Sequence, residues 1–231
     1  LEQEINQSLV IEDAEFIVIE KGETVNRLAK DLITKGWIKN DFWLKVFVKI
    51  NADLTSLKAG TYQVLPPVSL RELLVLLNSG KEHQFSITFI EGTTLKEWRS
   101  KLGQHPHIVQ TIQATTDSEI ATSLGINDKN PEGWFFPDTY AFTANTSDIS
   151  LLKRAYSKMK TTLAEQWDNR DAALPYGSPY EALIMASIVE KESGQEIEKP
   201  IIASVFVNRL HKKMRLQTDP TVIYGLGDRF K

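Results

Sequence analysis

The chain has 231 residues, of which 42% are hydrophobic, and its 27 basic and 30 acidic side chains give a net charge of −3. This is ample material for the cores of two modest domains, whereas the negative charge argues against a nucleic-acid-binding protein. The absence of cysteine excludes disulfides and thiolate zinc sites and is compatible with an oxidising extracytoplasmic compartment.

The N-terminal part predicts a strand–helix–helix–strand unit. Residues 16–19 form a short apolar strand, and the Gly-Glu-Thr turn at 22–24 opens a helix with apolar residues at core spacing. Gly36 ends this helix, a second helix runs to Ile50, and residues 60–64 return as a strand.

A domain boundary is predicted after the next helix. The sequence Ser-Leu-Arg-Glu at 69–72 is a capping box that heads this helix, and Gly80 ends it. We therefore assign residues 1–80 to a first domain and residues 81–231 to a second.

The second domain opens with a strand, a turn and a helix that repeat the start of the first. The turn Gly-Thr-Thr at 92–94 follows an apolar strand at 85–90, as the turn at 22–24 follows the strand at 16–19. Shared helix-capping chemistry explains this similarity as well as a sequence duplication does. Residues 105–129 are polar and irregular, which predicts an insertion or a mobile loop. A long amphipathic helix is predicted from about residue 148 to residue 167.

An unusual apolar helix is predicted near the C-terminal end. Residues 178–181, Ser-Pro-Tyr-Glu, form a capping box with proline at the first helical position. No side chain is charged from residue 182 to residue 189, which predicts a helix buried on all sides, and Gly194 is its expected left-handed stop.

Glu192 lies in the last turn of this helix and shares a face with Met185, Ile188 and Val189. The negative end of the helix dipole and the apolar neighbours both favour a protonated carboxyl, the form that a general acid needs. The alternative, and the commoner case, is that Glu190 and Glu192 are solvated charges at the end of a helix.

Further polar side chains follow the next apolar run, residues 201–207. Neutral hydrogen-bonding groups beside a cation and an aromatic ring are typical of sites that bind sugar hydroxyl and acetamido groups. Asp219 before Pro220 is more simply the N-cap of a short helix than a catalyst. The alternative reading of the group is that its members end a helix and cap turns; they are Asn208, Arg209, Gln217, Thr218 and Tyr224.

Four blocks of the sequence carry a resemblance to a known family. They are Glu-Gly-Trp-Phe-Phe-Pro-Asp-Thr-Tyr at 132–140, Ala-Ser-Ile-Val-Glu-Lys-Glu-Ser at 186–193, Ala-Ser-Val-Phe-Val-Asn-Arg-Leu at 203–210 and Met-Arg-Leu-Gln-Thr-Asp-Pro-Thr-Val-Ile-Tyr-Gly at 214–225. These long and unusual motifs resemble the signature of the YceG-like (MltG) family, whose members are endolytic murein transglycosylases. The likeness runs from about residue 14 to the last residue.

The resemblance implies cleavage of the β-1,4 bond between N-acetylmuramic acid and N-acetylglucosamine without water, which leaves a 1,6-anhydro end. The family's catalytic glutamate falls on Glu192, which would act as acid and base in turn, whereas most glycosidases use two carboxylates. Asp219 and Glu132 are the only candidates for a second carboxylate near the motifs. The residues predicted to bind substrate are Ser193, Asn208, Gln217, Thr218, Asp219, Tyr224 and Glu132.

The N-terminal unit, with Lys-Gly-Glu-Thr-Val at 21–25, resembles a LysM-like module, and LysM domains bind glycans that contain N-acetylglucosamine. The alternative is a packing subdomain that orients the catalytic lobe. The two resemblances together imply an α+β fold: a small LysM-like βααβ subdomain followed by a mixed, mainly helical, lysozyme-like catalytic lobe.

The ends of the chain carry further expectations. No run approaches the ~20 apolar residues of a membrane span, no signal peptide is present, and the first residue is Leu1 rather than methionine. The resemblance implies an upstream single-pass anchor in the bacterial cytoplasmic membrane, with the catalytic region facing the periplasm and cell wall. It also implies a further segment beyond Lys231 that completes the cleft, so we expect the catalytic lobe of this chain to be incomplete.

Two other functions are open to the sequence. A non-catalytic glycan-binding or scaffolding protein of cell-wall synthesis would bind strands through residues 16–64. A pyridoxal-dependent lyase would need a buried Schiff-base lysine, and Lys191, on an end turn without a glycine-rich phosphate loop, does not fit. We predict no cofactor and no metal, since His105 and His107 lack further ligands. The predicted partners are peptidoglycan glycan strands, cell-wall synthesis proteins and, through the anchor, a membrane, but not nucleic acid.

Overall fold

The structure is a computed structural model, and it describes residues 2–226. Helices alternate with three small two-stranded sheets, so the predicted mixture of α and β elements is confirmed. The chain forms two compact units. The first contains the residues up to Ser86 together with Ala141–Asn145, and the second contains Ile87–Tyr140 and the residues from Thr146 onward. The assignment of residues 1–80 and 81–231 as domains remains a prediction.

The first unit has the predicted order of two helices between two strands. Strands β1 and β2 are antiparallel, with Ile17 opposite Tyr62, and both side chains are buried beneath the helices. The LysM-like character of this unit stays a prediction. Its elements are α1 (Glu2–Ile5), β1 (Glu15–Ile19), α2 (Val25–Thr34), α3 (Phe42–Ile50), a 3₁₀ turn (Ala52–Thr55), β2 (Gly60–Val64) and α4 (Leu70–Ser79).

The ends of α4 follow the predicted cap chemistry. The Ser69 hydroxyl accepts from the Glu72 N–H at 3.2 Å, and the Glu72 carboxylate accepts from the Ser69 N–H at 2.7 Å, which completes the capping box. Gly80 ends the helix with a φ of 72°, a left-handed conformation that favours glycine. Both predictions are confirmed.

The second unit is mainly helical. Strand β3 pairs with β5, and β4 pairs in parallel with β6. In chain order the elements are β3 (Phe85–Thr88), α5 (Leu95–Gln104), β4 (Ile108–Val109), α6 (Asp117–Leu124), β5 (Thr139–Phe142), β6 (Thr146–Ser147), α7 (Asp148–Asp168), α8 (Pro179–Glu192), α9 (Lys199–His211) and α10 (Asp219–Leu226).

The segment 105–129 is more ordered than predicted. It contains β4 and the helix α6, which begins with a complete capping box between Thr116 and Glu119 and ends at Gly125, with a φ of 70°. The prediction of an irregular segment was therefore wrong. The Thr-Asp-Ser-Glu sequence at 116–119 is the local signal that identifies the helix start.

A buried carboxylate joins this segment to α7. Asp148, the first residue of α7, is fully buried and accepts from the backbone N–H groups of Thr111 (2.9 and 3.0 Å) and Ile112 (3.1 Å) and from the Thr111 hydroxyl. The positive end of the helix dipole also favours a negative charge at this position. One side chain thus holds the start of α7 to a segment 37 residues earlier in the sequence.

No helix within residues 2–226 is both long enough and apolar enough to cross a membrane.

We expect the substitution Asp148→Ala to lower the free energy of unfolding by about 3 kcal/mol, because the buried N–H of Ile112 and the part-buried N–H of Thr111 lose a charged acceptor. Urea denaturation measures this effect. The matched control is Asp168→Ala, which removes an exposed aspartate from the other end of the same helix and should change stability by no more than about 0.5 kcal/mol. Equal losses in the two variants would contradict the role of Asp148.

Candidate functional site

The start of α8 forms only half of the predicted capping box. Ser178 is the N-cap, and its hydroxyl accepts from the Glu181 N–H at 3.3 Å, with Pro179 at the first helical position. The Glu181 carboxylate, however, accepts from the N–H of Gly177 at 2.8 Å rather than from that of Ser178. The helix is still capped, but the reciprocal contact lies one residue earlier.

The end of α8 also differs from the prediction. The helix ends at Glu192, and Ser193 follows with an extended backbone, so the left-handed stop expected at Gly194 was wrong. The Ser193 hydroxyl donates to Glu198 at 2.6 Å and accepts from the Gln195 N–H at 3.0 Å. Ser193 therefore organises the turn that leads into α9, and its role in substrate binding stays a prediction.

Only one face of α8 is buried. Met185, Ile188 and Val189 pack against Phe206 of α9, whereas Ile184 on another face is 43% exposed. The prediction of a helix buried on all sides was wrong for the described part of the chain. An uncharged run shows that a helix can be buried, but packing partners decide which of its faces are covered.

Glu192 is exposed at the end of α8, and the apolar cover predicted for its carboxylate is absent among the described residues. The carboxylate accepts a hydrogen bond from the hydroxyl of Thr218, a side chain that is itself 96% buried, being 4% exposed. The structure thus brings together two predicted site residues that lie 26 positions apart. The result is an accessible carboxylate held by one fixed donor.

The loop before α10 presents Thr218. Arg209, near the end of α9, donates to the backbone carbonyl of Leu216, and the Met214 N–H donates to the carbonyl of Arg209 at 2.8 Å. Lys213 and Gln217 adopt left-handed backbone conformations with φ of 53° and 52°. This folded loop leads directly into Thr218, whose position is therefore set by Arg209 rather than by a regular element.

Three further predicted residues lie around this loop. Asp219 is the first residue of α10 instead of the cap before it, and its side chain is exposed. Asn208, in the last turn of α9, and Gln217 are exposed as well. Binding of substrate by these three side chains remains a prediction.

Glu190 faces a different environment from Glu192. Its carboxylate forms an ion pair with Lys199 of α9 at 2.6 Å, and Lys199 also pairs with Glu196 at 2.6 Å. These hydrogen bonds, first that to Glu190 and then that to Glu196, raise the pKa of Lys199 to about 12. The trio lies beside an open groove of about 550 Å³ between α8 and α9. Glu190 is thus paired, and no role was predicted for Lys199.

Glu132 is the second predicted carboxylate, and it is half-buried. Both of its oxygens accept from the N–H of Leu95, the first residue of α5, at 3.0 and 3.2 Å. Burial raises the pKa of Glu132, although the Leu95 N–H acts in the opposite direction. A Cβ on Gly92, in the turn just before α5, would lie 3.6 Å from atoms of Glu190 and Lys191. The same short turn therefore lies against Glu132 and against the last turn of α8.

Tyr224 is the residue of α10 that lies within the electrostatic influence of Glu132. Burial, and then the negative charge of Glu132, raise the pKa of Tyr224, whereas the Asn130 side chain lowers it. Thr218, before the start of α10, binds Glu192, so α10 extends from Glu192 towards Glu132. Asn130, which also accepts from the Glu132 N–H at 3.1 Å, was missed in the sequence, although it lies only two residues before the 132–140 block.

Within residues 2–226 no three histidine, aspartate or glutamate side chains converge on a possible metal site.

The chain is similar to several known proteins. The sequence model of the YceG-like family matches residues 17–231. A Bacillus subtilis protein named endolytic murein transglycosylase is 32% identical over 235 residues, which cover 91% of this chain and 63% of that protein. A Streptococcus pneumoniae protein of the same name is 26% identical over 238 residues, which cover 90% of this chain and 42% of that protein.

A solved structure is similar as well. The crystal structure of a YceG-like protein from Listeria monocytogenes matches with a TM-score of 0.53 and 28% identity, covering 94% of this chain and 76% of that one. The present chain spans less than two thirds of the length of the Bacillus and Streptococcus proteins.

The raised pKa of Glu132 predicts a pH-dependent stability. A carboxyl whose pKa is raised on folding from its ordinary 4.5 contributes stability below that pH and loses it as the pH rises through the folded pKa. We therefore expect the wild type to lose stability relative to Glu132→Gln over that interval. Thermal unfolding of both proteins from about pH 4 to about pH 8 measures the difference.

Glu119→Gln is the control of opposite sign. The N–H and hydroxyl of Thr116 lower the pKa of Glu119, so its contribution to stability is present above pH 4.5 and is lost as the pH falls through the folded pKa. Parallel pH dependence in the two variants would contradict the burial of Glu132.

Proposed function

Because the chain belongs to the YceG-like family, we propose that it is the catalytic part of an endolytic murein transglycosylase that cleaves the glycan strands of peptidoglycan. The observation that carries this proposal is the contact between Glu192 and Thr218. An exposed carboxylate at the end of α8 is held by a buried hydroxyl from the segment before α10, and both residues belong to the family motifs.

In the proposed reaction, Glu192 in its protonated form donates its proton to the oxygen between N-acetylmuramic acid and N-acetylglucosamine. The bond from that oxygen to the muramyl C1 breaks, and N-acetylglucosamine leaves with the proton. The carboxylate of Glu192 then takes the proton of the muramyl 6-hydroxyl, whose oxygen bonds to C1. The products are a 1,6-anhydro-muramyl end and a free 4-hydroxyl, and no water is consumed.

The surroundings of Glu192 leave its carboxylate available to a substrate. Its exposure leaves the carboxylate open to a substrate, and the Thr218 hydrogen bond orients it. Glu190, two residues earlier, is engaged with Lys199 and is a poor candidate for the same task. Glu132 is occupied by the Leu95 N–H, so a single acid/base residue is the simpler mechanism.

The first unit suggests a second contact with the same substrate. Its strand–helix–helix–strand order agrees with a LysM-like module, and we propose that it binds glycans containing N-acetylglucosamine. A chain that only bound strands through this unit would be a scaffold of cell-wall synthesis. We place the protein at the outer side of the bacterial cytoplasmic membrane, held by an anchor, beside the strands and the proteins that make them.

The test of the reaction is mass spectrometry of the products formed from purified glycan strands. We expect the wild type to give anhydro-muramyl ends and Glu192→Gln to lose activity by roughly a hundredfold or more, the usual contribution of a general acid. Glu190→Gln is the matched control and should retain most of the activity. Reducing ends instead of anhydro ends would show hydrolysis, and binding without cleavage by any variant would favour the scaffold.

Thr218 supplies a second prediction. We expect Thr218→Val to lower kcat about tenfold with little change in KM, because one hydrogen bond to a charged group is lost. Thr218→Ser keeps the donor and should restore the rate. Steady-state kinetics on glycan strands measure both, and equal rates for the valine and serine variants would contradict an orienting role of the hydroxyl.

A further inference from the structure

An aromatic cluster lies at the other end of α8 from Glu192. The rings of Trp134 and Tyr180 are stacked, with centroids 5.2 Å apart and an angle of 7° between their planes. Tyr156 packs edge-on to Trp134 at 6.3 Å and 79°. Trp134 is therefore supported by two rings, whereas Tyr180, 40% exposed, is the outer member of the stack. A supported ring keeps its orientation when a ligand binds, which limits the entropy lost on binding.

A second exposed tyrosine lies nearby on a different helix. Tyr224 of α10 is 63% exposed, and α10 packs against α8, the helix that carries Tyr180. The Asn130 side chain interacts with the Tyr224 hydroxyl. Single exposed aromatic residues are ordinary on protein surfaces. Here two tyrosines from separate helices converge beside an amide and a carboxylate, the mixture of ring faces and polar groups that binds sugars.

The indole N–H of Trp134 points to a missing acceptor. Its Nε1 atom is buried and has no hydrogen-bond partner among the described residues. Buried donors are nearly always satisfied, so the acceptor for this one is not supplied by residues 2–226.

The cluster lies at a distance from Glu192. On α8 twelve residues separate Tyr180 from Glu192, which corresponds to about 18 Å of helix. Helix α10 runs back along α8, since the Thr218 hydroxyl before it binds Glu192 whereas Tyr224, further along, interacts with Tyr180. A ligand that reached both the cluster and Glu192 would have to be extended and several rings long.

We propose that Tyr180 and Tyr224, supported by Trp134 and flanked by Asn130 and Glu132, form a distal subsite for an N-acetylated sugar ring of the strand that is cut at Glu192. This inference rests on the proposed function and deepens it. The subsite makes the enzyme favour long strands, because only these fill both positions at once.

The first test measures binding, which does not depend on turnover. Oligomers of N-acetylglucosamine and purified glycan strands are titrated into Glu192→Gln protein by calorimetry, and into the same protein with Tyr180→Ala or Tyr224→Ala. We expect each alanine variant to bind long strands about tenfold more weakly than the Glu192→Gln parent. Tyr180→Phe, which keeps the ring, should bind like its parent. Unchanged affinity in both alanine variants, or equal loss in Tyr180→Phe and Tyr180→Ala, would overturn the subsite.

The second test uses the active protein. Tyr180→Ala should raise KM for long strands about tenfold and have little effect on kcat, whereas Glu192→Gln abolishes cleavage. If the wild type cuts no strand but the alanine variants lose affinity, the proposed reaction fails and the subsite stands. If cleavage depends on Glu192 while Tyr180→Ala behaves as the wild type at every strand length, the subsite fails alone.

Discussion

The geometry of the second unit depends on the hydrogen bonds that the buried carboxylate of Asp148 accepts. These bonds fix the start of α7 against the segment around Thr111. In turn, α7 holds the 132–140 block, since the carbonyl of Ala155 accepts from the Phe136 N–H at 3.1 Å and Lys158 forms an ion pair with Asp138. That block carries Glu132 and Trp134. A charge remote from the proposed reaction therefore determines where one side of the site lies.

Carboxylates that accept backbone N–H groups recur throughout the chain. Helices α4, α5 and α6 each begin with a complete capping box, and Glu132 binds the first residue of α5 from a separate loop. The small size of the sheets explains why side-chain carboxylates accept so many backbone N–H groups. Two-stranded sheets satisfy few backbone donors, so the loops and helix starts that make up much of the fold need side-chain acceptors instead.

Caps and glycine stops act within four residues, so the sequence predicts both ends of α4; at α8, however, the reciprocal contact of the capping box lies one residue earlier and Gly194 is not the stop. Contacts between distant residues have no such signal: nothing in the spacing of Trp134 and Tyr180 indicates their stacking. Glu192 and Thr218 were assigned to the site only through the resemblance of their motifs to a family, and the hydrogen bond between them was not predicted. The exposure of Glu192 was missed as well, since an apolar run shows how hydrophobic a helix is but not where it finds partners.

The folded conformation of the loop between α9 and α10 determines when the loop loses its conformational freedom relative to the proposed reaction. Lys213 and Gln217 hold backbone conformations that side chains other than glycine seldom adopt, and the contact of Arg209 with Leu216 keeps the loop folded around them. The conformational freedom of this segment is thus given up when the protein folds, not when a strand arrives. In the proposed reaction, a strand that binds would find the Thr218 hydroxyl already in position, and the loop would not have to close over the strand.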